Sequence, residues 1–141
     1  MNVPDAEARC TVRITDEPIG GEPSGMADAH CGALATFRGI VRARADGREV
    51  AAIDYECYRE MAEKEMLSVA NEAAARFELR SVFVAHRTGR VRAGETSVLV
   101  AVAAAHRGQA FDALRSIVDA LKERAPIWKK EIYPDGTSRW L

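Results

Sequence analysis

The sequence lacks the cysteine spacing, the long apolar run and the strong net charge that mark several common classes of protein. Its 141 residues include three cysteines and no C-x-x-C pair, so a disulfide framework and a zinc site are disfavoured and reduced thiols are expected. No apolar run is long enough to span a bilayer, and the N-terminus lacks a basic start followed by an apolar core. The net charge of −1 offers no general attraction to nucleic acid or to a membrane. We therefore expect a cytoplasmic protein that binds neither.

The short motifs of the common cofactor and metal enzymes are also missing. The sequence has no phosphate-binding loop, G-x-G-x-x-G fingerprint, H-E-x-x-H pair, acidic metal cluster or G-x-S-x-G elbow. We therefore expect no cofactor and no metal site. The remaining candidates are lysine, arginine and histidine, which suit phosphate recognition and acid–base or acyl chemistry.

Hydrophobic periodicity predicts a single α+β domain over residues 1–141. Apolar residues three and four positions apart predict helices at 60–77 and 109–124. Alternating or continuous apolar runs predict strands at 10–15, 32–42, 50–58, 81–87 and 96–105. The strand at 96–105 is expected to be central and buried. Pro134-Asp135-Gly136 indicates a C-terminal hairpin. The expected architecture is an antiparallel sheet with two main helices packed on it, in which 32–42 pairs with 50–58 across a short connection.

Two segments are expected to lie outside this packed frame. Residues 1–9 are polar and expected to fray. Residues 16–29 contain two prolines and three glycines, which predicts a flexible loop. Within the long strand, Gly39 is expected to mark a bulge or a close approach of two backbones.

The strongest sign of a binding site is the segment 121–131. Lys122 falls inside the apolar face of the second helix, where a lysine needs either a snorkelling stem or a partner for its ammonium. The apolar residues of that face are Phe111, Leu114, Val118 and Leu121. Pro126 ends the helix, and Lys129 and Lys130 follow on a new element. Lysines converging from both sides of a helix break indicate an anion site, with snorkelling at a helix C-terminus as the alternative for Lys122 alone.

A second candidate is the dipeptide His106-Arg107 at the start of the second helix. The first N–H groups of that helix lack intrahelical partners, and Gly108 as a cap would leave them uncovered. A helix start beside these side chains can bind an anion. The alternatives are a surface ion pair for Arg107 and a packed core position for His106. Arg42, near the end of the long strand, is a weaker sign because most arginines there face solvent.

Four motifs, in this order and spacing, resemble the large, catalytic subunit of molybdopterin synthase over about residues 32–140. They are Thr36-Phe37-Arg38-Gly39-Ile40-Val41-Arg42, Tyr55-Glu56-Cys57-Tyr58 with Met61-Ala62-Glu63-Lys64, Ala105-His106-Arg107, and Leu121-Lys122 continuing to Glu131. The expected fold is then α/β hammerhead-like. The loop at 16–29 is shorter and richer in glycine and proline than this family leads us to expect.

The resemblance implies a sulfurtransferase of molybdenum cofactor biosynthesis. In that family the large subunit forms a homodimer, and a small ubiquitin-like subunit docks at each end to give a heterotetramer. The C-terminal Gly-Gly thiocarboxylate of the small subunit enters a pocket of the large one. Two sulfurs pass from it to cyclic pyranopterin monophosphate, forming the dithiolene of molybdopterin.

The resemblance also implies the site residues. Lys122 and Lys129 are the candidate catalytic residues, for acid–base and intermediate-stabilising roles. The candidate substrate-binding residues are Ile40, Val41, Arg42, His106, Arg107, Lys130 and Glu131. From Gly108 to Lys122 is fourteen residues, or roughly 21 Å along a helix, which is longer than the pterin. If both helix ends serve one site they come from two subunits, so we expect a homodimer with shared sites.

Two other functions are kept as alternatives. One is a non-catalytic anion-binding regulatory module, which would use the same basic residues without turnover. The other is a Cys–His hydrolase built around Cys31 and His106. Only the hydrolase requires the thiol, so Cys31→Ser separates it from sulfur transfer.

Overall fold

The computed structural model describes residues 8–141, which form two helices and ten strands. The helices are α1 (Arg59–Phe77) and α2 (Arg107–Arg124). The strands are β1 (Arg9–Thr15), β2 (Ala33–Ile40), β3 (Arg44–Ala45), β4 (Arg48–Glu49), β5 (Ala52–Cys57), β6 (Ser81–Arg87), β7 (Gly89–Arg92), β8 (Thr96–Ala104), β9 (Ile127–Ile132) and β10 (Ser138–Trp140). The predicted α+β class, the two main helices and the C-terminal hairpin of β9 and β10 are confirmed.

The first sheet has the strand order β1-β6-β8-β2, with β8 between two partners as predicted. Both faces of β8 are covered, which explains its almost unbroken apolar sequence. The pairs β6–β8 and β2–β8 are antiparallel. The edge pair β1–β6 is parallel, so this sheet is mixed and the antiparallel prediction does not extend to its edge.

The second sheet is antiparallel, with the order β10-β9-β5-β7. The predicted pairing of 32–42 with 50–58 is therefore wrong, because β2 pairs with β8 and β5 lies between β9 and β7. The short connection is filled by the hairpin of β3 and β4, which turns at Asp46 and Gly47, both with positive φ. Strand β2 is left free to pair with the longer apolar strand β8, which offers more surface to bury.

The main core lies between the first sheet and the two helices. Small residues on α2, Ala110 and Ala113, are buried and bring the helix close to the sheet, while Ile117 fills the space beyond them. Phe111 is 64% exposed, so its assignment to the apolar face was wrong. The centre of the buried face lies one residue earlier in the helix. Within the described residues, neither helix is long and apolar enough to cross a membrane.

The loop at 16–29 covers the opposite face of the first sheet. Met26 is buried there against Phe83 and Leu99. The Ser81 hydroxyl donates a 2.7 Å hydrogen bond to the Met26 carbonyl, and the Arg38 guanidinium donates to the carbonyls of residues 19 and 20. These contacts hold the loop against the sheet. They do not test its predicted flexibility, which stays a prediction. The predicted frayed end lies mostly outside the described residues, and Arg9 begins β1.

Candidate active site

A cavity of about 660 Å³ lies between the C-terminal end of α2, the end of β2 and the inner face of the second sheet. This volume is typical of small-molecule sites. The wall is largely apolar, and four cationic side chains line it: Arg38, Arg42, Lys122 and Lys129. An apolar cavity that gathers cations is suited to a flat organic ligand carrying an anionic group.

The end of β2 forms one wall of the cavity through a bulge. The pairing register with β8 shifts between Gly39 and Ile40, so an irregularity lies where the bulge was predicted, but the extra residue is Ser97 on β8. A Cβ on Gly39 would lie 2.5 Å from a methyl carbon of Val98, so the close approach is confirmed. After the bulge, Ile40, Val41 and Arg42 all line the cavity.

The last two turns of α2 form the second wall. Val118, Leu121 and Lys122 line the cavity there, with Lys122 exposed at its margin. The helix ends at Ala125, which is extended with φ −74° and ψ 126°, as the following Pro126 requires. The Lys122 ammonium therefore remains in contact with solvent and is available to a ligand.

Strand β9 places its two adjacent lysines, Lys129 and Lys130, on opposite faces. Successive side chains of a strand point to opposite faces, so Ile127, Lys129 and Glu131 line the cavity. Lys130 points away, with its Nζ 5.1 Å from the centre of the Trp140 ring. The structure brings Lys129 to the cavity and does not bring Lys130 there.

Glu131 is a buried carboxylate on the cavity wall with partners of its own. The Tyr133 hydroxyl donates a 2.8 Å hydrogen bond to Glu131 Oε1, and Arg139 Nη2 is 3.8 Å from the same oxygen. Burial and the adjacent carboxylate raise the pKa of Tyr133, so its hydroxyl remains a donor. Glu131 is therefore held in place on the cavity wall by these contacts.

His106 and Arg107 lie at the other end of α2 and do not line this cavity. His106 is the N-cap, with extended backbone and no side-chain capping bond, so the expected cap at Gly108 was wrong. The first turn contains no acidic residue. Both side chains are exposed, and the N–H groups beside them have no side-chain cap.

Three further residues of the inner wall were missed by the sequence analysis as site residues. The rings of Tyr55 and His86 meet edge to face, with centroids 5.0 Å apart. Ser97 lines the same wall, and its hydroxyl donates to the Gly39 carbonyl. The sequence did contain one sign of this wall: His86 is the only histidine of β6 and follows the apolar run Val82–Ala85.

The thiol proposed for a hydrolase lies elsewhere. Cys31 Sγ donates to Asp28 Oδ1 at 3.7 Å, and Cys31 does not line the cavity. Within the described residues, Cys31 makes no hydrogen bond with His106, so His106 is not placed to act as its base. All three cysteines are unpaired. Among residues 8–141, no group of three or more His, Cys, Asp or Glu side chains is arranged to hold a metal ion.

The fold and the cavity define an α+β protein with a largely apolar, cation-lined cavity suited to a small anionic ligand. The model of the MoaE protein family matches residues 14–124. The chain therefore belongs to the MoaE family.

Similar proteins include a molybdopterin synthase catalytic subunit from Oryza sativa subsp. indica, 47% identical over 109 residues. That match covers 77% of this chain, and the matched part spans 56% of the rice protein. The crystal structure of molybdopterin synthase from Staphylococcus aureus superposes with a TM-score of 0.85 at 33% identity, covering 91% of this chain and 94% of that one.

A third comparison shows the fold alone. The protein–protein complex of subunits 1 and 2 of molybdopterin-converting factor from Helicobacter pylori 26695 gives a TM-score of 0.66 at 22% identity. It covers 79% of this chain and 72% of the matched chain.

Proposed function

We propose that the chain is the catalytic subunit of a molybdopterin synthase. It would transfer sulfur from the C-terminal thiocarboxylate of a small ubiquitin-like partner to cyclic pyranopterin monophosphate. The observation that carries the proposal is the placement of Arg42, Lys122 and Lys129 around one cavity in a member of the MoaE family.

The chemistry of the cavity fits this reaction. The sulfur nucleophile arrives on the partner, so the catalytic subunit needs no cysteine nucleophile of its own. Arg42 supplies a guanidinium for the phosphate or the carboxylate terminus. Lys122 and Lys129 supply ammonium groups that protonate the departing oxygen and stabilise the negative charge that develops.

The rest of the site would come from a second copy of the chain. Arg107 and His106 are fifteen and sixteen residues before Lys122, or roughly 22 to 24 Å along α2. In a two-fold dimer, the exposed start of α2 from one subunit completes the cavity of the other. The free thiols of all three cysteines are consistent with a reaction in the cytoplasm.

The partner's Gly-Gly tail would reach the cavity in an extended conformation. We place its approach along the end of β2, where Gly39 lines the cavity and carries no side chain. We expect that deleting the partner's last two residues abolishes turnover while the complex still forms, because most of the docking area lies outside the cavity. Size-exclusion chromatography reports the complex, and turnover with the truncated partner would contradict this route.

The direct test is a reconstitution. The purified chain is incubated with thiocarboxylated small subunit and cyclic pyranopterin monophosphate, and dithiolene product is measured. Product formation that requires all three components supports the proposal. Binding of the pterin monophosphate without product, with a partner shown to be thiocarboxylated, would favour the regulatory anion-binding module.

A further inference from the structure

The inner wall of the cavity contains an imidazole whose two nitrogens are in different environments. His86 Nδ1 lies 2.7 Å from the Arg87 carbonyl oxygen, which can only accept, so Nδ1 carries the proton. In the neutral ring, Nε2 is then an acceptor. Within residues 8–141 no hydrogen-bond donor contacts Nε2, and His86 lines the cavity.

Lys129 approaches this wall from the facing strand. It is paired with Tyr55 across β5 and β9, and side chains directly opposite in an antiparallel pair lie on the same face. The Tyr55 ring contacts the His86 ring, so Lys129 and His86 flank the same tyrosine. A four-carbon stem gives the ammonium the reach and freedom to approach Nε2.

We propose that His86 positions Lys129, with Nε2 of the neutral imidazole accepting a hydrogen bond from the lysine ammonium. The fixed tautomer makes His86 an acceptor at Nε2, and the ring contact with Tyr55 fixes its orientation. A flexible lysine is thereby held toward the reacting atoms. His86 acts through Lys129 and is a positioning residue.

The electrostatics of the imidazole agree with this arrangement. Burial lowers the pKa of His86, the hydrogen bond to the Arg87 carbonyl opposes that effect, and the positive charge of Lys129 lowers the pKa further. The ring therefore stays neutral and able to accept near pH 7. The other titratable and charged groups on the cavity wall are Arg38, Arg42, Tyr55, Lys122 and Glu131.

The first test uses the full chain and needs no substrate. The titration of His86 is followed by NMR in the unmodified protein, in Lys129→Ala and in Lys130→Ala. Removing the Lys129 ammonium, which the proposal places at Nε2, should raise the midpoint of His86 by about one pH unit, the scale of a close charge. Lys130→Ala removes the same charge from the opposite face of β9 and should leave the midpoint in place. An unchanged midpoint in Lys129→Ala, or an equal shift in Lys130→Ala, overturns the proposal.

The second test measures turnover and rests on the proposed function. His86→Asn keeps a donor at the position of Nδ1 and loses the acceptor, and should slow single turnover about 10-fold, as for a lost hydrogen bond to a charged group. His86→Gln places an amide oxygen near Nε2 and should recover most of the rate. In a Lys129→Ala background, His86→Asn should change the rate less than about twofold, because the two residues act as one unit.

The outcomes separate the two proposals. Additive losses in the double variant would mean that His86 acts independently of Lys129, which overturns the positioning role. If the unmodified chain makes no dithiolene but Lys129→Ala still raises the His86 midpoint, the proposed synthase function is wrong. The contact between His86 and Lys129 is then still supported. Circular dichroism of each variant, with His30→Asn as a histidine control outside the cavity, verifies that the fold is retained.

Discussion

Lys129 and Lys130 are adjacent in the sequence, and the strand that carries them gives them different surroundings. Lys129 faces the cavity, and Lys130 lies over Trp140 on the other face. A basic dipeptide therefore supplies one cation to the site. The sequence identified the pair, but which face each lysine takes depends on the register of β9 with β5.

The first prediction is that Lys129→Ala lowers turnover by about 10²-fold or more, the scale of a lost acid–base group. The fold and partner binding should be unchanged, because the side chain is exposed at the cavity. Single-turnover rates measure the loss. Lys130→Ala is the matched comparison, and we expect a smaller loss from it. Near-normal turnover of Lys129→Ala would remove this lysine from the mechanism.

A second prediction concerns Asp28, which fastens the loop at 16–29 to the sheet. Its carboxylate accepts hydrogen bonds from the Arg80 guanidinium at 2.9 Å and from the His30 backbone N–H at 2.8 Å. The Arg80 hydrogen bond, followed by that of His30, lowers the pKa of Asp28 to about 2. Because this pKa is below the value of about 3.9 for an unfolded chain, the ionised group stabilises the fold above pH 4 or so. That contribution is lost as the pH falls through about 2.

Urea unfolding of the wild type and of Asp28→Asn between pH 2 and 7 measures this effect. The difference in the free energy of unfolding should be constant above about pH 5 and shrink toward pH 2. A difference that stays constant down to pH 2 would show that Asp28 does not stabilise the loop through its charge.

Among the elements, both helices, the buried central strand β8 and the C-terminal hairpin could be predicted from the sequence. Their signals are local: a 3.6-residue period, an apolar run, and Pro134-Asp135-Gly136. Strand pairing could not be predicted, because a short connection favours a hairpin only when nothing else competes. Here β8 provides a longer apolar partner for β2. Strand β7 was missed because glycine and arginine obscure its pattern.

The third prediction tests the bulge at Gly39. In Gly39→Ala the new methyl group would meet a Val98 methyl at 2.5 Å. The branched Val98 side chain cannot rotate its methyl away freely. We expect the free energy of unfolding to fall by about 1–3 kcal/mol, the scale of overpacking. Thermal or urea unfolding measures it.

Gly20→Ala is the matched control for this substitution. No atom lies within 4 Å of a Cβ built on Gly20, so its stability should change by less than about 0.5 kcal/mol. Equal effects of the two substitutions would mean that the close approach of β2 and β8 is not a constraint.

At the scale of the whole molecule, α2 separates the two groups of basic residues that the resemblance assigns to one site. Its last turn lines the cavity, and its first turn presents His106 and Arg107 elsewhere. The sequence supported this separation through the length of the helix alone, without any knowledge of the cavity. In the proposed dimer, what surrounds the first turn depends on a second subunit, which no pattern within one chain specifies.

The fourth prediction is that activity rises when two poorly active homodimers exchange subunits. Lys122→Ala and His106→Ala dimers should each be poorly active. A mixed dimer with shared sites has one doubly damaged site and one native site, so up to half of the native activity per mixed dimer is expected. Native mass spectrometry confirms the exchange. No recovery after verified exchange would mean that each site is confined to a single chain.

The bulge between Gly39 and Ile40 has a consequence for how this chain tolerates insertions and deletions. Ile40, Val41 and Arg42 follow the register shift directly and all line the cavity, so removing one residue between Phe37 and Arg42 would pull each later residue back by one position. Arg42 would then take the buried position of Val41, although no site residue had been substituted. The number of residues in this segment is therefore constrained as strictly as their identities, and a homologue with a different count there would have to build its site from other side chains.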